Sequence, residues 1–149
     1  MTEHTIVILV VDDEPDYRQR MSEALEKQGY VVLQAGNSTQ ALGVAKAHEA
    51  KIDLLVTDIS LPVTNGCELA KQLLQRYADL KILFVSGYVG SEVCRYYGIP
   101  ITDRFFLRKP FEPAELAERV RQVLESAERV PLQPANGDSE PSHESFENP

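Results

Sequence analysis

The chain has 149 residues, 43% of them hydrophobic, and a formal net charge of −8. That length favours one domain with a core of ordinary size, and the acidic balance argues against a surface that collects nucleic acid by releasing counterions. Its two cysteines, Cys67 and Cys94, form no CxxC and no repeated spacing, so they support neither a disulfide framework nor a zinc site and are expected as thiols.

The opening stretch "MTEHTIVILVVDD" carries an apolar run far shorter than a membrane span, has no positively charged lead, and ends in two acids. It reads as a buried strand of a cytoplasmic protein, not inserted in a membrane. The predicted strands are "TIVILVV" (5–11), "VVLQA" (31–35), "DLLVT" (53–57), "KILFV" (81–85) and "DRFFL" (103–107). The first, third and fourth are nearly continuous in Val, Ile and Leu, as expected of central strands covered on both faces.

Helical patterns alternate with these runs. Tyr17, Met21 and Leu25 recur at four-residue spacing, as do Leu69, Leu73 and Tyr77, and Leu116, Val120, Val123 and Leu124 mark a last helix. Weaker windows cover about 38–50 and 91–97. Gly29 suits a helix stop and Pro113 the first turn of the last helix. Alternation of this kind is the signature of βα units around a parallel sheet. Beyond residue 129 the pattern dissolves into "VPLQPANGDSEPSHESFENP", which holds four acids (Asp138, Glu140, Glu144, Glu147) and no Lys or Arg. Half of the net charge therefore lies in 130–149. We expect a domain over 1–129 and a disordered acidic tail over 130–149, too short and polar for any DNA-reading module.

In an open parallel α/β sheet, chemistry gathers beyond the carboxyl ends of the strands, near the place where strand order reverses. The sequence delivers Asp12 and Asp13 after the first strand, Asp58 after the third, Ser86 after the fourth and Lys109 with Pro110 after the fifth. The second strand ends in small uncharged residues, which places it outside the site. Three carboxylates in one cleft raise one another's pKa unless a cation enters. A hard divalent ion such as Mg²⁺ suits them, since it takes one or two carboxylates, a phosphate oxygen and several waters, and the lack of nearby His or Cys counts against zinc. Asp58, alone after its strand, is the candidate nucleophile for an aspartyl-phosphate. Lys109 supplies a point charge and Ser86 a hydroxyl donor for phosphoryl oxygens.

Each residue also has a structural reading: Asp12 and Asp13 as helix caps, Asp58 and Ser86 as turn formers, Lys109 as a solvated lysine. Their joint arrangement at four strand ends is what favours the chemical reading.

Together "ILVVDDEPDYR", "LLVTDISLPVTNGCEL", "FVSGY" and "FFLRKPF" resemble, in order and spacing over about residues 5–128, the receiver domain of two-component response regulators. The resemblance implies a doubly wound (βα)5 flavodoxin-like fold of strand order 2-1-3-4-5. It makes Asp58 the acceptor of a phosphoryl group from a histidine kinase or histidine phosphotransfer protein. It assigns Mg²⁺ to Asp13 and Asp58 directly, to the Ser60 backbone carbonyl, and to Asp12 mainly through water. Lys109 would pair with the phosphoryl group, through a cis Lys109–Pro110 bond. Ser86 and Phe106 fall at the family's switch pair, and a face made by the fourth helix, fifth strand and fifth helix would be read by a downstream protein, with Val93, Tyr96 and Tyr97 near it as contacts or as core. Phe106 stands where many relatives carry Tyr, while Ser60 and Tyr88 occupy positions that tune phosphate lifetime.

The chain is expected to act alone, as a phosphoacceptor switch or shuttle rather than a turnover enzyme. The competing readings are a phosphorylation-independent receiver-like adaptor, against which the intact acid, Ser and Lys set argues, a haloacid-dehalogenase-type phosphohydrolase, which would need an Asp where Ser60 sits, and the receiver part of a larger kinase or of a regulator with an output domain.

Overall fold

In the computed structural model, which describes residues 4–87, 96 and 105–128, five apolar runs form one parallel sheet. The strands are β1 (Val7–Val11), β2 (Val31–Ala35), β3 (Leu54–Asp58), β4 (Lys81–Ser86) and β5 (Phe106–Arg108), in the order β2-β1-β3-β4-β5. Helices α1 (Pro15–Glu26), α2 (Ser38–Ala47), α3 (Gly66–Arg76) and α4 (Pro113–Glu125) lie between or after them; α4 is the last helix of the sequence pattern. The expected window 91–97 lies outside the described residues except for Tyr96, which is helical and exposed. Val93, Tyr97, Tyr88 and Cys94, most of the expected strand start at 103–104, and the tail 130–149 also lie outside them.

Because side chains alternate along a strand, the continuous apolar runs supply two cores. Val7, Leu9, Val11, Leu55 and Phe84 face α2 and α3 with Ala41, Ala45, Leu69 and Leu73. Ile8, Val10, Leu54, Val56, Leu83 and Val85 face α1 and α4 with Met21, Leu25, Leu116 and Val120. This accounts for β1, β3 and β4 lacking polar alternation, and it explains the amphipathic spacing of each helix. Cys67 is buried in the first of these cores.

Several expected boundaries shift by one to three residues, and two of the shifts matter. Asp58 and Ser86 are not residues after their strands but the last residues of them, with Asp58 opposite Val85 and Ser86 opposite Arg108 in the ladder. The main chain at these strand ends is satisfied by the sheet's ladder bonds, which the apolar pattern alone does not register. The helix expected over 38–50 closes at Ala47. Gly29 adopts φ 96°, a left-handed conformation that glycine takes without steric cost, and Pro113 occupies the first turn of α4.

Chain order fixes where a cleft opens. From β1 the chain goes to β2 on one side, then returns to β3 on the other, so the loops after β1 and β3 diverge at the carboxyl edge. The loop after β3 turns back sharply: Gly66 N–H donates to the Ile59 carbonyl at 2.9 Å, and Asn65 caps α3 by accepting from Glu68 N–H at 2.9 Å. A side chain at Gly66 would put its Cβ 2.3 Å from the Asp58 carbonyl oxygen. The glycine eight residues after Asp58 is therefore what lets α3 start against the strand that carries the acid.

Gly66→Ala should lower unfolding stability by about 1–3 kcal/mol through this backbone clash. By contrast, Gly43→Ala in α2, where an added Cβ meets nothing within 4 Å, should raise stability by about 0.5–1 kcal/mol. Denaturant midpoints of the two variants beside the wild type check both signs.

Candidate functional site

Asp12 follows β1 directly. Its N–H donates to the Ala35 carbonyl at 3.2 Å, and its own carbonyl accepts from Arg18 Nη1 at 2.8 Å, so the main chain is held from both sides. The N-cap of α1 is Glu14 rather than either aspartate, and Asp12 Oδ1 accepts from Glu14 N–H at 2.9 Å. Helix capping thus does not account for Asp12 and Asp13. Asp58 does serve a turn, its Oδ1 accepting from Ser60 N–H at 2.9 Å, but that occupies only one of its oxygens.

The second oxygen meets Lys109. Its Nζ donates to Asp58 Oδ2 at 3.0 Å and to Asp12 Oδ2 at 2.9 Å, and lies 3.4 Å from Glu14 Oε1. With 13% of its side chain exposed, Lys109 is not the solvated lysine of the structural reading. Burial pulls its ammonium pKa down, yet the bonds and charges of Asp12 and Asp58 outweigh that and hold it above the ordinary lysine range. Burial is also the main influence on Asp12 and pushes its carboxyl above the usual value; the Glu14 amide and Lys109 oppose the rise, and the charge of Asp58 adds to it.

Asp13 stays exposed at the mouth of the cleft. Carboxylate oxygens of Asp12, Asp13 and Asp58 all lie within 4.8 Å of one another. Two buried acids and an open third fit a hard cation that keeps part of its water shell. Ser60 enters the site through its amide, as its bond to Asp58 shows.

Ser86 is fully buried, and its Oγ has no hydrogen-bond partner among the described residues. An orphaned buried hydroxyl costs about 1–3 kcal/mol, which an incoming acceptor oxygen would relieve. The backbone ties Ser86 to the lysine, since Lys109 N–H donates to the Ser86 carbonyl at 2.9 Å. The Lys109–Pro110 peptide is cis, as the resemblance implies. Phe106 opens β5 with its ring buried, and Arg119 Nη1 donates to its carbonyl at 2.8 Å.

Sequence reasoning missed two neighbours of Lys109. Glu14 was overlooked beside the stronger aspartate pair. Tyr17 was assigned wholly to the core stripe, but its ring is only half-buried and sits under the Lys109 ammonium, 4.2 Å from Nζ to ring centroid. The available signal was its place in the first turn of a helix that starts right after the acids.

The family model described as response regulator receiver domain matches residues 8–121. The chain belongs to this family. Among its relatives, this receiver domain is 34% identical over 119 residues to the sensor kinase CckA of Brucella abortus, covering 79% of this chain and 12% of that protein. It is 37% identical over 119 residues to the phosphate regulon transcriptional regulatory protein PhoB of Pseudomonas aeruginosa, covering 78% of this chain and 51% of PhoB. The chain thus spans about half, or far less, of the length of these relatives. Among solved structures it is similar to a response regulator receiver protein from Sinorhizobium medicae, with TM-score 0.71 and 28% identity over 84% of this chain and 98% of that one. The chemotaxis response regulator CheY4 of Vibrio cholerae matches with TM-score 0.68 and 28% identity over 80% of this chain and 99% of that one. No helix among the described residues is long and apolar enough to cross a membrane.

Lys109→Met leaves Asp12 and Asp58 without their shared ammonium. It should lower stability near neutral pH by about 1–3 kcal/mol, and added Mg²⁺ should restore more stability to the variant than it adds to the wild type, as thermal midpoints with and without the ion will show. The receiver domain's raised Asp12 pKa has its own signature. The folded state keeps that proton to a higher pH than the unfolded chain, so this contribution to stability is full below the ordinary value of 3.8 and falls as pH rises through the raised one. Asp12→Asn should flatten that descending limb in denaturant unfolding measured across the acid range.

Proposed function

We propose that this receiver domain is the phosphoacceptor switch of a two-component or phosphorelay system. Asp58 takes a phosphoryl group from the phosphohistidine of a histidine kinase or histidine phosphotransfer protein, and the altered surface controls a protein partner. The observation that carries the reading is the convergence of Asp12, Asp13 and Asp58, the first and last of them bonded to one ammonium, with an unpartnered buried hydroxyl on the adjoining strand end. The likeness to CckA, described as a sensor kinase, and to PhoB, described as a transcriptional regulatory protein, supports a place in such signalling.

In this reading Asp13, Asp58 and the Ser60 carbonyl, with Asp12 beside them, would hold a divalent cation, Mg²⁺, which would supply positive charge for the phosphoryl oxygens. The chain's own residues do the rest. A carboxylate oxygen of Asp58 attacks phosphorus; the O–P bond forms as the P–N bond to the donor imidazole breaks, and the imidazole leaves with that electron pair. The β3–β4 ladder holds the attacking group in place. Lys109 trades a carboxylate contact for a phosphoryl oxygen, and Ser86 Oγ–H donates to another.

The switch follows from the same pairing. Engagement of Ser86 draws on β4, and Phe106 on β5 lies opposite Phe84 of that strand, so the ring responds to the hydroxyl's position. A charge at one point then biases a two-state surface that includes β5 and α4. Without a hydroxyl on Phe106, recognition at that surface rests on ring packing. Water later hydrolyses the acyl phosphate, so Asp58 is a regenerated acceptor and the domain is not a turnover enzyme. We place it in the cytoplasm, where such donors act.

Intact mass after incubation with Mg²⁺ and acetyl phosphate tests the reading. The wild type should gain one acid-stable, base-labile phosphoryl group and Asp58→Asn none, with both folded. Equal labelling of the variant would overturn the assignment of Asp58.

A further inference from the structure

Lysine places a point charge at the end of a flexible four-carbon stem, and the two short bonds that hold it go to Asp12 and Asp58, with the exposed Glu14 further off at 3.4 Å. When a phosphoryl oxygen replaces one of them, something else must keep the ammonium near phosphorus. Tyr17 has the geometry for this. Its ring centroid lies 4.2 Å from Lys109 Nζ, well inside the reach of a cation over an aromatic face, and the contact uses neither carboxylate.

The ring is itself held in place. Pro15 starts α1 and puts Tyr17 in its first turn, over Met21 and Leu25, which are buried in the core shared with α4. Phe111, two residues after Lys109, meets the Tyr17 ring edge-on with centroids 5.6 Å apart and planes at 64°. Tyr17 meets the ammonium through its ring, so what it offers the site is its ring face. An aliphatic residue would serve the core as well, but it has no such face.

We propose that Tyr17 is a positioning residue for Lys109, its ring carrying the ammonium between the acid cluster and the phosphoryl group. The proposal rests on Asp58 as the phosphoryl acceptor. Both rings border a cavity of about 240 Å³ that is also lined by Arg20, Pro110 and Leu116, so replacements at position 17 meet open space rather than dense packing.

Tyr17→Phe and Tyr17→Leu separate the ring from the bulk. Without any phosphodonor, the ε-methylene protons of Lys109, assigned by their loss in Lys109→Met, should show an upfield ring-current shift in the wild type and in Tyr17→Phe and lose it in Tyr17→Leu. With Mg²⁺ and acetyl phosphate, the initial rate of phosphoryl gain should fall about two- to five-fold in Tyr17→Leu and be largely retained in Tyr17→Phe, while the Mg²⁺ titration curve of all three stays the same. An unshifted lysine in the wild type, a Tyr17→Leu rate equal to the wild type, or a Tyr17→Phe rate as low as that of Tyr17→Leu would each overturn the proposal. A wild type that gains no phosphoryl group would overturn the acceptor reading and the kinetic half of this one, and the ring-current comparison would still decide whether the ring holds the lysine.

Discussion

One ammonium group shared by two buried carboxylates is the constraint on which the site depends. Asp12 and Asp58 come from neighbouring strands, β1 and β3, and would repel each other in a cleft from which water is largely excluded. Lys109 reaches across from the far end of the sheet and bonds both at about 3 Å. The cleft thereby holds a positive charge between its two buried acids. In the proposed reading, a cation would enter at the exposed Asp13 and a phosphoryl group at Asp58, and Lys109 would exchange partners in either case.

The fold makes this affordable by putting every functional group where the backbone is already satisfied. Asp58 and Ser86 are the last ladder residues of β3 and β4, and the lysine's N–H closes onto the Ser86 carbonyl. Local precision comes from Gly66, whose missing Cβ allows α3 to begin against the Asp58 carbonyl. The two apolar cores hold the sheet between helix layers.

Much of this was legible in the sequence because strands buried on both faces leave continuous apolar runs, and the polar residues that end them mark one edge of the sheet. The strand order needed the family resemblance, since periodicity is blind to which runs pair. Strand ends were misjudged by one residue at Asp58 and Ser86, because a polar side chain can sit inside a ladder when the backbone bonds continue past it. Lys109 as the bridge between Asp12 and Asp58 could be suspected from chemistry. Its perch on Tyr17 could not, because an aromatic at four-residue spacing looks the same whether it faces the core or leans under a neighbour.

A free carboxylate is symmetric: its two oxygens share the charge and exchange by a half-turn about one bond. At Asp58 the fold removes that symmetry. Oδ1 is held by the Ser60 amide, on the loop side, and Oδ2 by the Lys109 ammonium. A half-turn would only swap the identities of the two atoms, leaving one loop-side and one lysine-side oxygen as before. Asp58 is therefore a handed carboxylate, with one oxygen bound by a fixed dipole and the other by a mobile charge, and only the second can be released without moving the backbone.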